Sequence, residues 1–318
     1  MPQSAFPENI LLESFVTAKS GQLAPQLHEW FTPDELRQNL RAELEEDFEW
    51  THNLEWATEF HANIGIGQPQ DYLVRTPELP VLGTVWTHIR FRGGDKARPF
   101  VDLRSSLKLP SLEADFKVFL EHVCREYVVF KPKHLRLFLP DMNSLEPLPD
   151  GAFWEKRYLA APLENLRANP VSDTLEARPL SENFYPRYLE TYRELQESWP
   201  AHAEYAGVQP ESDFLETDGA ALELFLHGEY AGLVAASRAV EQSLRGFVVN
   251  EVVLGRVARG KGLGPVALWH LAQNLPTLEG DVLFGTVDLR NTPAYRSALC
   301  SGREDVGGYL WVPLEPLS

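Results

Sequence analysis

The chain has 318 residues, 44% hydrophobic and 11% aromatic, a globular composition whose length implies two domains of about 150 residues each. Its 29 Lys and Arg against 46 Asp and Glu give a net charge of −17, which argues against a nucleic-acid surface and mildly favours an amine-bearing substrate. No apolar run has membrane-span length, Met1–Glu8 lacks the features of an export signal, and two cysteines, Cys124 and Cys300, support neither a disulfide framework nor a metal cluster, so a cytoplasmic protein without membrane or metal is expected.

In chain order, the region from Ala24 to Ile64, rich in Glu, Leu and Trp, reads as mostly helical. Strands are predicted over Asp71–Arg75, Gly83–Phe91 and Phe100–Leu107, then a helix over Leu112–Tyr127 and a strand over Leu135–Leu139. A linker falls near Glu164–Asp173, where Asn169-Pro170-Val171-Ser172-Asp173 breaks any regular pattern. Ser181, with Asn183, opens a helix to about Ser198, and Ala221–Leu226 and Ala231–Ala239 form a hairpin turned at His227-Gly228-Glu229. A strand over Gly246–Leu254 leads into a glycine-rich turn and a helix that ends near Leu275. The strand Asp281–Val287, a short helix Asn291–Leu299 and a final strand Gly308–Val312 follow.

Three short matches recur in the same order. Val118–Val123 matches Val266–Leu271, and Pro140–Asn143 matches Asp288–Asn291, both at an offset of 148 residues; Tyr158–Leu163 matches Tyr309–Leu314 at 151. They point to an internal repeat of about half the chain, hence two domains of one fold, at 1–165 and 174–318.

The segment richest in chemistry is Arg259-Gly260-Lys261-Gly262-Leu263-Gly264. A strand, a turn of Gly and Lys, then a helix N-terminus lets backbone N–H groups converge on an anion, with Lys261 and Arg259 adding charge at the positive end of the helix. This hexamer fits the Arg/Gln-x-x-Gly-x-Gly/Ala signature of the GCN5-related N-acetyltransferase superfamily, and Asn291-Thr292-Pro293-Ala294, with Gly302 eleven residues after the Asn, resembles that superfamily's second cofactor-contact segment. The resemblance covers about residues 175 to 315. It implies an α/β (α+β) fold of two tandem domains, each a mixed, mostly antiparallel central sheet flanked by helices. It further implies acetyl-coenzyme A as cofactor: Arg259, Gly260, Lys261, Gly262, Leu263 and Gly264 at the pyrophosphate, Leu254 and Arg256 as strand positions toward the pantetheine arm and acyl carbonyl, and Asn291 on that arm.

N-acyl transfer requires an amine relieved of its proton and a proton for the departing thiolate. Glu251, on the strand before the loop, is the candidate base. The superfamily's Tyr, seven residues after the Asn, is replaced here by Ala298, which leaves Tyr295, one turn earlier, as the candidate acid. In the first half, the counterpart of the loop is Ser111–Phe116, whose Glu113 and Asp115 would repel a pyrophosphate. That half reads as a degenerate copy without the cofactor loop.

The expected activity is acetyl transfer from acetyl-coenzyme A to a primary amine of a small molecule or peptide, by direct attack in a ternary complex, with a homodimer allowed. Two alternatives stay open. One is a non-catalytic coenzyme A-binding or regulatory protein on the same fold; the other is an aminoacyl-tRNA-dependent transferase.

Overall fold

The computed structural model describes residues 8–75, 78–79, 83–105, 114–142, 148–170, 174–204, 206–276 and 278–314. The chain forms two compact units, residues 1–155 with 307–318, and residues 156–306.

Unit 1 opens with α1 (Glu8–Ser20), α2 (Pro25–Trp30), α3 (Pro33–His52) and α4 (Leu54–Ile64). Its strands are β1 (Glu78–Leu79), β2 (Gly83–Phe91), β3 (Pro99–Ser105) and β4 (His134–Leu139), with α5 (Ala114–Glu126) crossing from β3 to β4. The sheet order is β1-β2-β3-β4, antiparallel except for the parallel β3/β4 pair, as a crossover helix requires. Alternation sends Val85, Ile89, Val101, Leu103, Leu135 and Leu137 to one face, against Ala57 and Ile64 of α4 and Phe119 and Val123 of α5. Trp86 on the other face packs with Phe15 of α1 and Leu40 and Leu44 of α3.

The later elements are β5 (Phe153–Pro162), α6 (Leu163–Arg167), β6 (Leu175–Pro179), α7 (Phe184–Ser198), α8 (Glu211–Leu215), β7 (Ala220–Leu226), β8 (Glu229–Glu241), β9 (Leu244–Leu254), α9 (Gly264–Asn274), β10 (Val282–Asp288), α10 (Thr292–Cys300) and β11 (Glu304–Pro313). Within unit 2 the order is β5-β10-β9-β8-β7-β6, again antiparallel except for one parallel pair, β9/β10, joined by α9. One face carries Leu224, Val234, Phe247 and Leu283 against α9; the other carries Leu233, Ala235 and Val253 against Phe184, Tyr188 and Tyr192 of α7 and Phe214 of α8. Both units are thus mixed, mostly antiparallel sheets flanked by helices.

The offset of 148 carries β3, which starts at 99, onto residues from 247 within β9, and β4, which starts at 134, onto 282, the first residue of β10. The offset of 151 carries β5, from 153, onto 304, the first residue of β11. These two last strands change places: residues 156–162 of β5 pair with β10, while Gly308–Pro313 of β11 pair with β4. The unit boundaries therefore fall at 155/156 and 306/307 and differ from the contiguous division at 165 and 174 read from sequence.

Two local expectations are corrected. Asp71–Arg75 is not a strand: Pro69–Tyr72 forms a 3-10 turn closed by reciprocal bonds between Gln68 and Asp71, and only Arg75 bridges to Thr87. The expected linker begins as a helix, α6, because Leu163 and Leu166 are fully buried and hold the turn against α9. The start of the acidic counterpart loop, Ser111–Glu113, and Asn143 lie outside the described residues.

Leu310 of β11 is fully buried in the unit 1 core. Leu310→Ala is expected to cost about 2–5 kcal/mol in denaturant unfolding, as for a large-to-small change at any fully buried site; a loss under about 0.5 kcal/mol would contradict membership of the last strand in that core.

Candidate functional site

The site in unit 2 starts from one interruption. β9 and β10 pair in parallel over only three positions, Gly246 to Val248 against Val282 to Phe284. From Val249 onward β9 stays on β8, and from Gly285 onward β10 stays on β5, so the two strands part. The register of β8 and β9 shifts at the same level: Ala235 faces Glu251 and Ala236 faces Val249, which leaves Asn250 as the extra residue of a bulge.

The bulge sets where Glu251 sits. It is 6% exposed, on the α7 side of the sheet. The Tyr188 hydroxyl donates to its Oε2 at 2.6 Å, and the Tyr192 hydroxyl donates to the same oxygen at 2.9 Å. Tyr188 itself accepts from the Gln209 N–H at 2.8 Å. Burial raises the carboxyl from 4.5 to about 7, against the opposing pull of the two tyrosine hydrogen bonds. Burial likewise pushes both phenols upward, so they stay protonated as donors. Sequence reasoning missed the tyrosines, although their i, i+4 spacing on an amphipathic helix puts them on one face.

A cavity of about 480 Å³ is lined by Gln209, Asp213, Glu216, Thr217, Asp218, Ser237 and Asn250, the residue that precedes Glu251; the Glu251 side chain is not part of its lining. The Asn250 Nδ2 donates to the Ser237 Oγ at 2.8 Å. Three carboxylates make the lining acidic.

On the opposite face, residues 255–263 form the turn between β9 and α9. Gly260 and Gly262 have φ of +72° and +71°, a left-handed conformation that glycine adopts without strain. The amides of Ala258, Arg259 and Lys261 bond inside the turn. Among the described residues, those of Gly260, Gly262, Leu263 and Gly264 have no backbone acceptor. The N-terminus of α9 has no side-chain cap and no acidic residue in its first turn. Such an end presents free N–H groups and the positive pole of the helix, which suits a phosphate.

Not every predicted contact falls here. The Arg259 guanidinium is turned away from the free amides: its Nε donates to the Leu254 carbonyl at 2.7 Å and its other nitrogens reach Thr191 and Ser198 on α7. Arg256 lies past the end of β9, within the turn, while Leu254 pairs with Gly232 on β8. Lys261 is exposed at the turn, and Leu263 is buried under it. Asn291 caps α10, its side-chain oxygen accepting from the Ala294 N–H at 3.3 Å. The Tyr295 hydroxyl donates to Asp305 at 2.8 Å, and Asp305 also takes a bidentate pair from Arg157. Ala298 is fully buried.

In unit 1 the carboxylate on the matching strand, Asp102, meets a different fate. Burial would raise it, but Arg136 contacts both its oxygens at 2.8 Å and holds it well below the usual carboxylate range. It carries no removable proton near neutral pH.

No protein-family model matches the chain, and no curated protein does. Among solved structures it is similar to an acetyltransferase of the GNAT family from Colwellia psychrerythraea (10% identity, 76% of this chain and 84% of that one, TM-score 0.46). It is also similar to a GCN5-related N-acetyltransferase from Kribbella flavida (15%, 83% and 96%, TM-score 0.42) and to a tandem GNAT protein of the clavulanic acid pathway (12%, 76% and 86%, TM-score 0.39). At these scores the likeness is loose, and function is read from the local geometry of unit 2. No helix among the described residues is long and apolar enough to cross a membrane.

Between about pH 4.5 and 7 the unfolded chain releases a proton that folded Glu251 retains, so this group's contribution to stability falls as pH rises through that window. Glu251→Gln removes the titration. Its stability relative to wild type should increase from pH 5 to pH 8 in parallel denaturant melts; a difference that does not change with pH would place the carboxyl's pKa elsewhere.

Proposed function

We propose that unit 2 binds an acyl-coenzyme A at the 255–264 turn and transfers the acyl group to an amine. The observation that carries this reading is the uncapped α9 N-terminus, with its free amides, at the end of a strand that has parted from its parallel neighbour. The fit to the cofactor is electrostatic and steric: four free amides and Lys261 for a pyrophosphate, and an unpaired edge of β9 beyond Val248 for an amide-bearing arm. Bound there, the cofactor supplies an activated thioester.

The remaining work belongs to the chain. The acidic cavity, whose lining includes Asn250 next to Glu251 in sequence and Gln209, whose N–H bonds the Tyr188 hydroxyl, attracts a cationic amine to the α7 side of the sheet. Glu251, with a pKa of about 7, takes up a proton from that amine near neutral pH, directly or through one water, so that nitrogen attacks the acyl carbonyl and the carbon–sulfur bond breaks. Tyr188 and Tyr192 orient the carboxyl by donating to it. The departing sulfur needs a proton; the candidate acid is Tyr295, whose hydroxyl is engaged by Asp305. Holding both reactants accounts for much of the rate. Acetyl is the simplest acyl group for this chemistry.

The buried Ala298 supports a second reading, in which unit 2 binds the cofactor without turnover. Calorimetry with acetyl-coenzyme A and thiol release with a panel of amines separate the two. Submillimolar binding is expected for wild type and none for Gly262→Asp, which adds bulk and negative charge at the anion site; absence of wild-type binding sinks both readings. Given turnover, Glu251→Gln should lower kcat by roughly 10²-fold or more and remove the rise of rate toward pH 7. Thiol release unchanged in Tyr295→Phe would take that residue out of the mechanism.

A further inference from the structure

The gap between β9 and β10 is not empty of protein charge. Arg303, between α10 and β11, is 5% exposed, and its Nε is buried with no hydrogen-bond partner. Among the described residues no carboxylate or carbonyl accepts from its guanidinium. The neighbouring acids are engaged or turned outward: Asp305 is taken by Arg157 and Tyr295, and Glu304 is exposed. Burial alone acts on the guanidinium and lowers its pKa to about 10, with no anion to counter it.

Its position is defined by the strands that part. A methyl built on Gly285, the first β10 residue beyond the paired stretch, would lie 3.5 Å from the Arg303 Nη1 and 3.1 Å from the Val249 Cβ. The guanidinium therefore stands at the root of the gap, between the residues where pairing ends, and Gly285 keeps the space clear. The backbone behind it is fixed: the Arg303 N–H donates to the Ala298 carbonyl, and the Ser301 carbonyl accepts from the Trp269 indole at 2.9 Å. A buried cation without a partner is costly, and a rigidly held one is complementary to an anion that arrives with a ligand.

We propose that Arg303 receives a carboxylate carried on the donor's acyl group, so that unit 2 takes the half-thioester of a dicarboxylic acid in preference to an acetyl thioester. This rests on the acyl-coenzyme A reading. It goes beyond it by naming the acyl class. The donor is favoured over the acceptor as the source of the carboxylate because Val249 and Gly285 pack on the α9 face, with the cofactor turn, whereas Glu251 and the acidic cavity belong to the α7 side. A planar guanidinium fork suits a carboxylate in bidentate geometry.

The test is calorimetric titration of coenzyme A, acetyl-, malonyl- and succinyl-coenzyme A into wild type, Arg303→Met and Arg303→Lys, with thermal melts of all three proteins. Wild type should bind malonyl- or succinyl-coenzyme A tighter than acetyl-coenzyme A by on the order of ten- to a hundredfold. Arg303→Met should erase that preference while changing the Kd of coenzyme A and acetyl-coenzyme A by less than about twofold, and Arg303→Lys, which keeps the charge but not the fork, should retain part of it. Arg303→Met should melt no lower than wild type without ligand, because it removes an unpaired buried charge.

A preference that is absent in wild type or survives in Arg303→Met overturns the proposal while leaving the parent reading intact. So does a lower ligand-free melting temperature with unchanged donor affinities, which marks Arg303 as structural, or an effect confined to the KM of the amine. Failure of wild type to bind any coenzyme A species removes both.

Discussion

The parting of β9 from β10 after Val248 and Phe284 is the constraint on which the rest of unit 2 depends. A parallel pair that continued would bury the edges of both strands in hydrogen bonds and leave no room between them. Because each strand keeps its outer partner instead, β9 on β8 and β10 on β5, the divergence does not leave either strand unsupported. The bulge at Asn250 adds one residue to β9 at the same level and turns Glu251 toward α7. The same interruption therefore creates the open edge, aims the carboxyl and exposes the space that Arg303 enters.

The two faces of the sheet around this gap carry opposite electrostatics. On the α9 side are free amides, an uncapped helix end and the unpaired Arg303, all suited to negative charge. On the α7 side are Glu251 and the acidic cavity, suited to an amine. Unit 1 shows the same strand order with the chemistry cancelled, since Arg136 clamps Asp102 where unit 2 gives its carboxyl only uncharged donors, two phenols and the Val252 backbone. A phenol donates a hydrogen bond but brings no charge. Glu251 therefore stays near pH 7, whereas Asp102 is locked as an anion.

Much of the fold was legible because local pattern and tertiary demand agree. The repeat offsets of 148 and 151 carry the starts of β4 and β5 onto those of β10 and β11, and the glycine turn lies between a strand and a helix as its composition suggested. The misreadings have physical causes. Asp71–Arg75 contains residues that suit a strand, yet the Gln68 and Asp71 bonds favour a 3-10 turn. Arg259 was assigned to an anion from its place in a motif, but a long side chain can reach carbonyls five residues back and across to α7. Short spacing cannot distinguish a guanidinium that meets a ligand from one that ties down the loop.

What the sequence determined by itself is the local chemistry: glycines at the two positions that need positive φ, no acid in the first turn of α9, a duplicated order of strands and helices, and a Glu on the strand before the loop. These follow from backbone preference and from periodicity, which act over a few residues. Only the tertiary structure decided which partners those groups meet. It exchanged the last strands of the two repeats, surrounded Glu251 with two phenols from α7, and left Arg303 without a counter-ion in a gap formed by residues over fifty positions upstream and eighteen positions upstream of it, Val249 and Gly285. Burial and long-range pairing set the protonation of a carboxyl and decide whether a guanidinium meets a counter-ion, and no stretch of neighbouring residues contains that information.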